Sequence, residues 1–200
     1  MLNRSFFAGM FAGVILIVVI ALIGVAAAMM LPRVYLSSVA AKSLRPPALP
    51  LAHADFAWDL TSIDGKATML ETWKGKTIIA TIFQPDCGMC QTELPSLQNL
   101  YTRLDQAKIA LILVAPVPTT AVPKPQPFLD NIRTMIRDNQ LAIPVYTCSS
   151  PLPGPFAIHS TPATIIIAPD GEIVLKHVGA AKWDDDSVVR FIEGLSLSAP

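Results

Sequence analysis

Cys87 and Cys90, three positions apart, are the residues of this sequence best placed to do chemistry. The Cys-x-x-Cys spacing serves thiol–disulfide exchange, half of a zinc site, haem attachment or a structural disulfide, so the surroundings must choose among these. Haem attachment is disfavoured, because Gln91 rather than His follows Cys90. Zinc would need two further ligands, and the other candidates, Cys148, His53, His159 and His177, are scattered without a second tight pair. Three cysteines in 200 residues are too few to staple a domain, and the odd number leaves one without an internal partner. The spacing thus favours a redox pair, Cys87-Gly88-Met89-Cys90, with no metal and no cofactor beyond its own disulfide.

The flanking pattern gives the two sulfurs different tasks. Lys76 to Phe83 is a continuous β-rich run, and after Cys87 the apolar positions change to helical spacing at Leu94, Leu97, Leu100, Tyr101 and Leu104. Cys87 should therefore lie at a helix N-terminus, where unpaired N–H groups and the macrodipole favour a thiolate, which makes it the nucleophile. Cys90, one turn further in and less accessible, is the resolving thiol that attacks a mixed disulfide formed at Cys87. Asp86 and Met89 flank the nucleophile as candidate substrate contacts, and the Asp86 carboxylate opposes ionisation of its neighbour.

Three other residues have a functional and a bland reading. Glu93, one turn past Cys90, can exchange a proton with the pair, but a solvated surface acid is the expectation. Cys148 is either a third redox or copper-ligating thiol beside the site or a small buried hydrophobe, and the second is favoured. His159 can approach the cysteines, although a loop histidine usually faces solvent. The proline-rich stretches Ala115 to Pro127 and Pro151 to Pro155 serve either as rigid connections or as a rim that meets a partner with little ordering cost.

Those residues must be carried by a domain that the rest of the chain builds. An Asp64-Gly65 turn between short apolar runs at Asp55 to Leu60 and Ala67 to Leu70 predicts a hairpin. Buried strands are expected at Ile109 to Val114 and Ile143 to Thr147, with a helix over Phe128 to Asn139. Thr164 to Ala168 and Glu172 to His177 form a second hairpin about Pro169-Asp170-Gly171. A last helix starts near Asp184 to Asp186 and buries Val188, Val189, Phe191, Ile192 and Leu195. Strands alternating with helices and then closing on a hairpin predict a mixed α/β sandwich.

Ahead of the domain, Phe6 to Leu31 carries no charge, while about 20 apolar residues suffice to span a bilayer. Residues 1–31 are read as a transmembrane anchor, with a cleaved signal peptide as runner-up. Arg4 precedes the span and Arg33, Lys42 and Arg45 follow it, so charge counting does not orient it. Residues 32–53, with Pro32, Pro46, Pro47 and Pro50, read as a linker. Lys plus Arg and Asp plus Glu both number 15, with no basic cluster, so no nucleic-acid partner is expected.

Residues 54–195 resemble the thioredoxin fold, and more closely its TlpA/ResA-like branch of membrane-anchored bacterial redox proteins. The resemblance is carried by Asp55-Phe56 to Gly65-Lys66, Trp73-Lys74-Gly75-Lys76, the Cys87–Cys90 pair, Pro95, Thr161-Pro162-Ala163-Thr164 and Asp170-Gly171. It implies a thioredoxin-like sandwich over 54–200, a mixed sheet flanked by helices with an N-terminal β-hairpin and an inserted βα unit. It implies a cis Pro162 opposite the cysteines that shields them from metal, and a Thr161 whose backbone receives a substrate peptide. It further implies a protein disulfide oxidoreductase, acting as a reductant on protein substrates, fed by a membrane thiol donor, and located in the bacterial inner membrane with its domain in the periplasm. Asp86 departs from the family's usual aromatic residue, and Thr81 stands where a buried acid or Asn is common, which leaves no proton relay at that position. The alternative is a Cu(I)-binding or metal-centre assembly protein using Cys87, Cys90 and His159 or Met89 as soft ligands. A dithiol sensor without turnover is a third reading.

Overall fold

The computed structural model describes residues 52–117, 126–149 and 151–197. The expected anchor (1–31) and nearly all of the linker (32–53) lie outside the described residues. The domain begins with a short strand, β1 (Ala52–His53), followed by β2 (Asp59–Ser62) and β3 (Ala67–Met69). Then come β4 (Thr77–Ile82), α1 (Gly88–Arg103), β5 (Ile109–Val117) and α2 (Gln126–Asp138). The chain closes with β6 (Val145–Ser149), β7 (Ala163–Ile167), β8 (Glu172–Val178) and α3 (Asp186–Leu197).

All eight strands join one sheet in the order β1-β8-β7-β4-β5-β6-β2-β3. The central β4 runs parallel to β5 and antiparallel to β7, and all six of its residues are buried, as its unbroken apolar run requires. Alternate residues of β4 enter two separate cores, since a strand sends successive side chains to opposite faces. Ile79 and Phe83 join Leu94, Leu97, Leu100, Ile132, Met135, Trp183 and Ile192 beneath the helices. Ile78, Ala80 and Ile82 face Trp58, Leu60, Leu70 and Phe156 on the other side. That second face is covered by the 3-10 turns Leu70–Trp73 and Gly154–Phe156, which hydrophobic periodicity did not reveal.

Several sequence expectations shift. The linker does not extend through residue 53, because Ala52 and His53 pair with Ile173 and Glu172. Asp55 to Trp58 is a turn rather than strand, held by the Ala57 N–H donating to Asp55 Oδ1 and the Trp58 N–H to the Asp55 carbonyl. β5 runs three residues past Val114, through a proline. The Pro116 carbonyl accepts from Gln84 Nε2 beyond the end of β4, so the missing N–H of Pro116 lies where no strand asks for it. Both hairpin turns form as expected. At Gly171 (φ +94°) a Cβ would lie 2.9 Å from the Phe56 ring, so two constraints fix glycine there.

Candidate active site

The turn after β4 aims the cysteines. The Cys87 N–H donates to the Gln84 carbonyl and Gln91 Nε2 to the Pro85 carbonyl, which folds Pro85-Asp86 back and starts α1 at Gly88. Cys87 is the helix N-cap, in extended conformation, and its Sγ accepts the Cys90 N–H at 3.2 Å. A sulfur thus occupies the place of a capping oxygen and meets a free helix-terminal donor, which favours the thiolate. Cys87 and Cys90 are joined in a disulfide with Cα atoms 5.2 Å apart. Cys87 is half-buried, whereas Cys90 is 1% exposed and belongs to the helix-side core.

The Thr161–Pro162 bond is cis, as the resemblance implies, and brings the Thr161 carbonyl to 3.7 Å from Cys87 Sγ. On the far side of Pro162 the Gly179 N–H donates to the Pro162 carbonyl, and Val178 pairs with Ala163. Met89 and Val178, 57% and 51% exposed, leave two large apolar side chains open next to the disulfide and the cis-proline respectively. Asp86 is exposed, so solvent screens its charge.

Glu93 is not the solvated acid that the sequence suggested. Its side chain is buried under the 179–183 segment, with Oε2 accepting from the Ala181 N–H and from Trp183 Nε1, both at 3.1 Å. Burial pushes its pKa up to about 6, against the pull of those two donors. A buried carboxyl therefore stands one helical turn beyond Cys90, on the helix rather than at Thr81. Thr81 is satisfied otherwise, its hydroxyl 2.8 Å from that of Thr164 on β7. Sequence reasoning missed Glu93 because its partners sit far along the chain; the signal available was an acid in register with Cys90, Leu94 and Leu97 on the apolar side of α1.

The remaining candidates are not drawn into the site. Cys148 lies among Trp58, Phe156 and Ile82 on the face of the sheet opposite Cys90. Burial pushes its thiol up to about 12, and the Trp58 indole N–H approaches the sulfur without reaching full hydrogen-bond geometry. His159 is exposed and lines, with Gln84, Pro116, Leu152 and Thr161, a groove of about 370 Å³ beside the cis-proline. Both proline-rich loops reach this groove through Pro116 and Pro151; residues 118–125 and 150 lie outside the described residues. Among the described residues no three His, Cys, Asp or Glu side chains gather at metal-ligand spacing.

An accessible sulfur capping a helix, a buried partner one turn on and a cis-proline across from them define a thioredoxin-fold thiol–disulfide oxidoreductase. The chain belongs to the Redoxin family, which matches residues 48–191. Solved structures agree on the fold. A candidate protein disulfide isomerase from Bacteroides thetaiotaomicron aligns with TM-score 0.62 at 19% identity over 78% of this chain and 95% of its own. A thiol:disulfide interchange protein from Chlorobium tepidum aligns at 0.54, with 21% identity and coverages of 74% and 97%. A secreted disulfide oxidoreductase from Mycobacterium tuberculosis aligns at 0.55, with 15% identity and coverages of 72% and 99%.

Proposed function

We propose that the protein is a membrane-anchored reductant of protein disulfides working outside the cytoplasm. The observation that carries the exchange chemistry is the asymmetry of the pair, with Cys87 accessible at a helix terminus and Cys90 sealed behind it. In the reduced enzyme the Cys87 thiolate attacks one sulfur of a substrate disulfide, and the other substrate sulfur leaves as a thiolate. The Cys90 thiolate then attacks Cys87 Sγ, the substrate departs as a dithiol, and the enzyme is left oxidised. A membrane dithiol supplies the two electrons that reopen Cys87–Cys90. Glu93 takes the proton that Cys90 must lose before it can attack, a task suited to an acid poised near pH 6. The Thr161 backbone receives the substrate chain in extended form, and the exposed Met89 and Val178 suit a protein substrate rather than a small polar one. Location outside the cytoplasm and the direction of electron flow rest on the uncharged run Phe6 to Leu31 and on the resemblance to TlpA/ResA-like reductants.

Trapping tests this cycle. Cys90→Ser removes only the resolving step, so mixed disulfides should accumulate through Cys87 on non-reducing gels of native membranes. Cys87→Ser should accumulate none. A Cys90→Ser protein that traps nothing, in a chain whose parent binds Cu(I) tightly, would replace this reading with metal carriage.

A further inference from the structure

The segment between β8 and α3 is bonded at both ends to active-site groups. At its start the Gly179 N–H holds the Pro162 carbonyl at 2.8 Å. Two residues on, the Ala181 N–H and then Trp183 Nε1 converge on the same carboxylate oxygen, Oε2 of Glu93. Ser96 locks this arrangement from the helix, accepting the Trp183 N–H at 3.3 Å while its hydroxyl donates to the Glu93 carbonyl at 2.9 Å. The indole is completely buried, and the His177 ring packs against it edge-on, with centroids 5.7 Å apart and planes at 82°. The one polar atom of the indole is thus committed to a buried acid, while its ring is packed from another side.

The two carboxyl oxygens are unlike. Oε2 faces two N–H donors, so a proton placed on it would point an O–H into them. Oε1 is buried and has no partner. A proton carried by Glu93 therefore resides on Oε1, and its loss is assisted by donors already aimed at Oε2. We propose that Trp183 is the positioning residue of the buried acid: its indole N–H, with the Ala181 amide, fixes the Glu93 carboxyl one turn beyond Cys90 and governs its protonation. This deepens the proposed cycle and rests on Glu93 serving Cys90 there. The titratable groups nearest to these donors are Cys90, three residues before Glu93 on α1, His177 on β8 against the indole ring, and Lys182 and Asp184 on either side of Trp183 in the chain. Burial disfavours the charged form of His177. Lys182 is exposed, and Asp184 accepts from Asn99 through Oδ2.

The test is a pH titration by NMR of the full-length reduced chain in mild detergent, following the Glu93 side-chain carboxyl carbon and the assigned Trp183 indole N–H. The indole resonance should move with the same midpoint as the carboxyl and become flat in Glu93→Gln. In Trp183→Phe the Glu93 midpoint should rise by about one unit, because one charge-assisted donor is lost. An indole resonance that stays still while Glu93 titrates in the parent overturns the proposal, and this measurement stands even if Trp183→Phe fails to fold. The pH profile of exchange with a disulfide-linked peptide separates the two claims. If the indole tracks Glu93 but Glu93→Gln leaves that profile unchanged, the positioning by Trp183 holds and the proton-transfer role of Glu93 falls.

Discussion

Cys90 and Cys148 are both buried cysteines, and what separates them is the face of the sheet each occupies. Cys90 lies under the helices, bonded to Cys87, while Cys148 packs in the opposite core with its thiol pushed up to about 12. A thiol with that pKa is almost wholly protonated at neutral pH and is a poor nucleophile, whatever its distance from the site. Turnover of Cys148→Ser should therefore stay within a few-fold of the parent, about 1 kcal/mol in barrier terms. A loss in insulin-reduction assays approaching that of Cys87→Ser would show that Cys148 takes part in the cycle. The reading of Cys148 as a third redox or copper-ligating thiol weakens too, because it lies on the opposite face of the sheet from Cys90; a Cu(I) site on Cys87, Cys90 and His159 or Met89 does not depend on it.

Among the elements, α1 and the segment leading into α3 depend on each other through Glu93. Its folded pKa of about 6 lies above the ordinary value of 4.5. Below pH 4.5 the carboxyl is neutral in folded and unfolded chains alike, and its contribution to stability is fully present. As pH rises from 4.5 through 6 the unfolded chain releases the proton first, and stability is lost. A shift of this size corresponds to about 2 kcal/mol. His177 works oppositely, since burial lowers its pKa and stability falls as the unfolded imidazole takes up a proton. The comparison must therefore be parent against Glu93→Gln, where the His177 effect cancels. The parent should lose about 2 kcal/mol relative to the variant between pH 4 and pH 7, measured by urea unfolding. Parallel stability curves would mean that Glu93 ionises at its ordinary value in the folded protein.

At the scale of the molecule, the proposed function predicts that the span expected over residues 1–31 orients the domain away from the cytoplasm. Disulfide chemistry persists in compartments that tolerate disulfides, and the flanking charges do not decide the orientation. A reporter fused after Pro200 should be active only in the periplasmic form. Activity restricted to the cytoplasmic form would remove the extracytoplasmic reading while leaving the exchange chemistry of the pair intact.

Much of this protein was legible in the chain because the relevant signals are local. β4 announced itself as a continuous apolar run, α1 by its leucine spacing, both hairpins by Asp-Gly turns, and the nucleophile by standing between strand and helix. The cis Pro162 was legible only through resemblance, since an X–Pro dipeptide does not declare its isomer. What tertiary structure alone decided was the environment of the polar groups. Glu93 reads as a surface acid until Ala181 and Trp183, 88 and 90 residues away, close over it. Cys148 reads from the sequence as a small buried hydrophobe, as it is, but only the pleat of β6 decides that its core is the one on the far face from Cys90. Helical and strand periods tell which residues share a side of their own element, but burial and proton affinity are set by what packs against that side, and those partners come from distant parts of the chain.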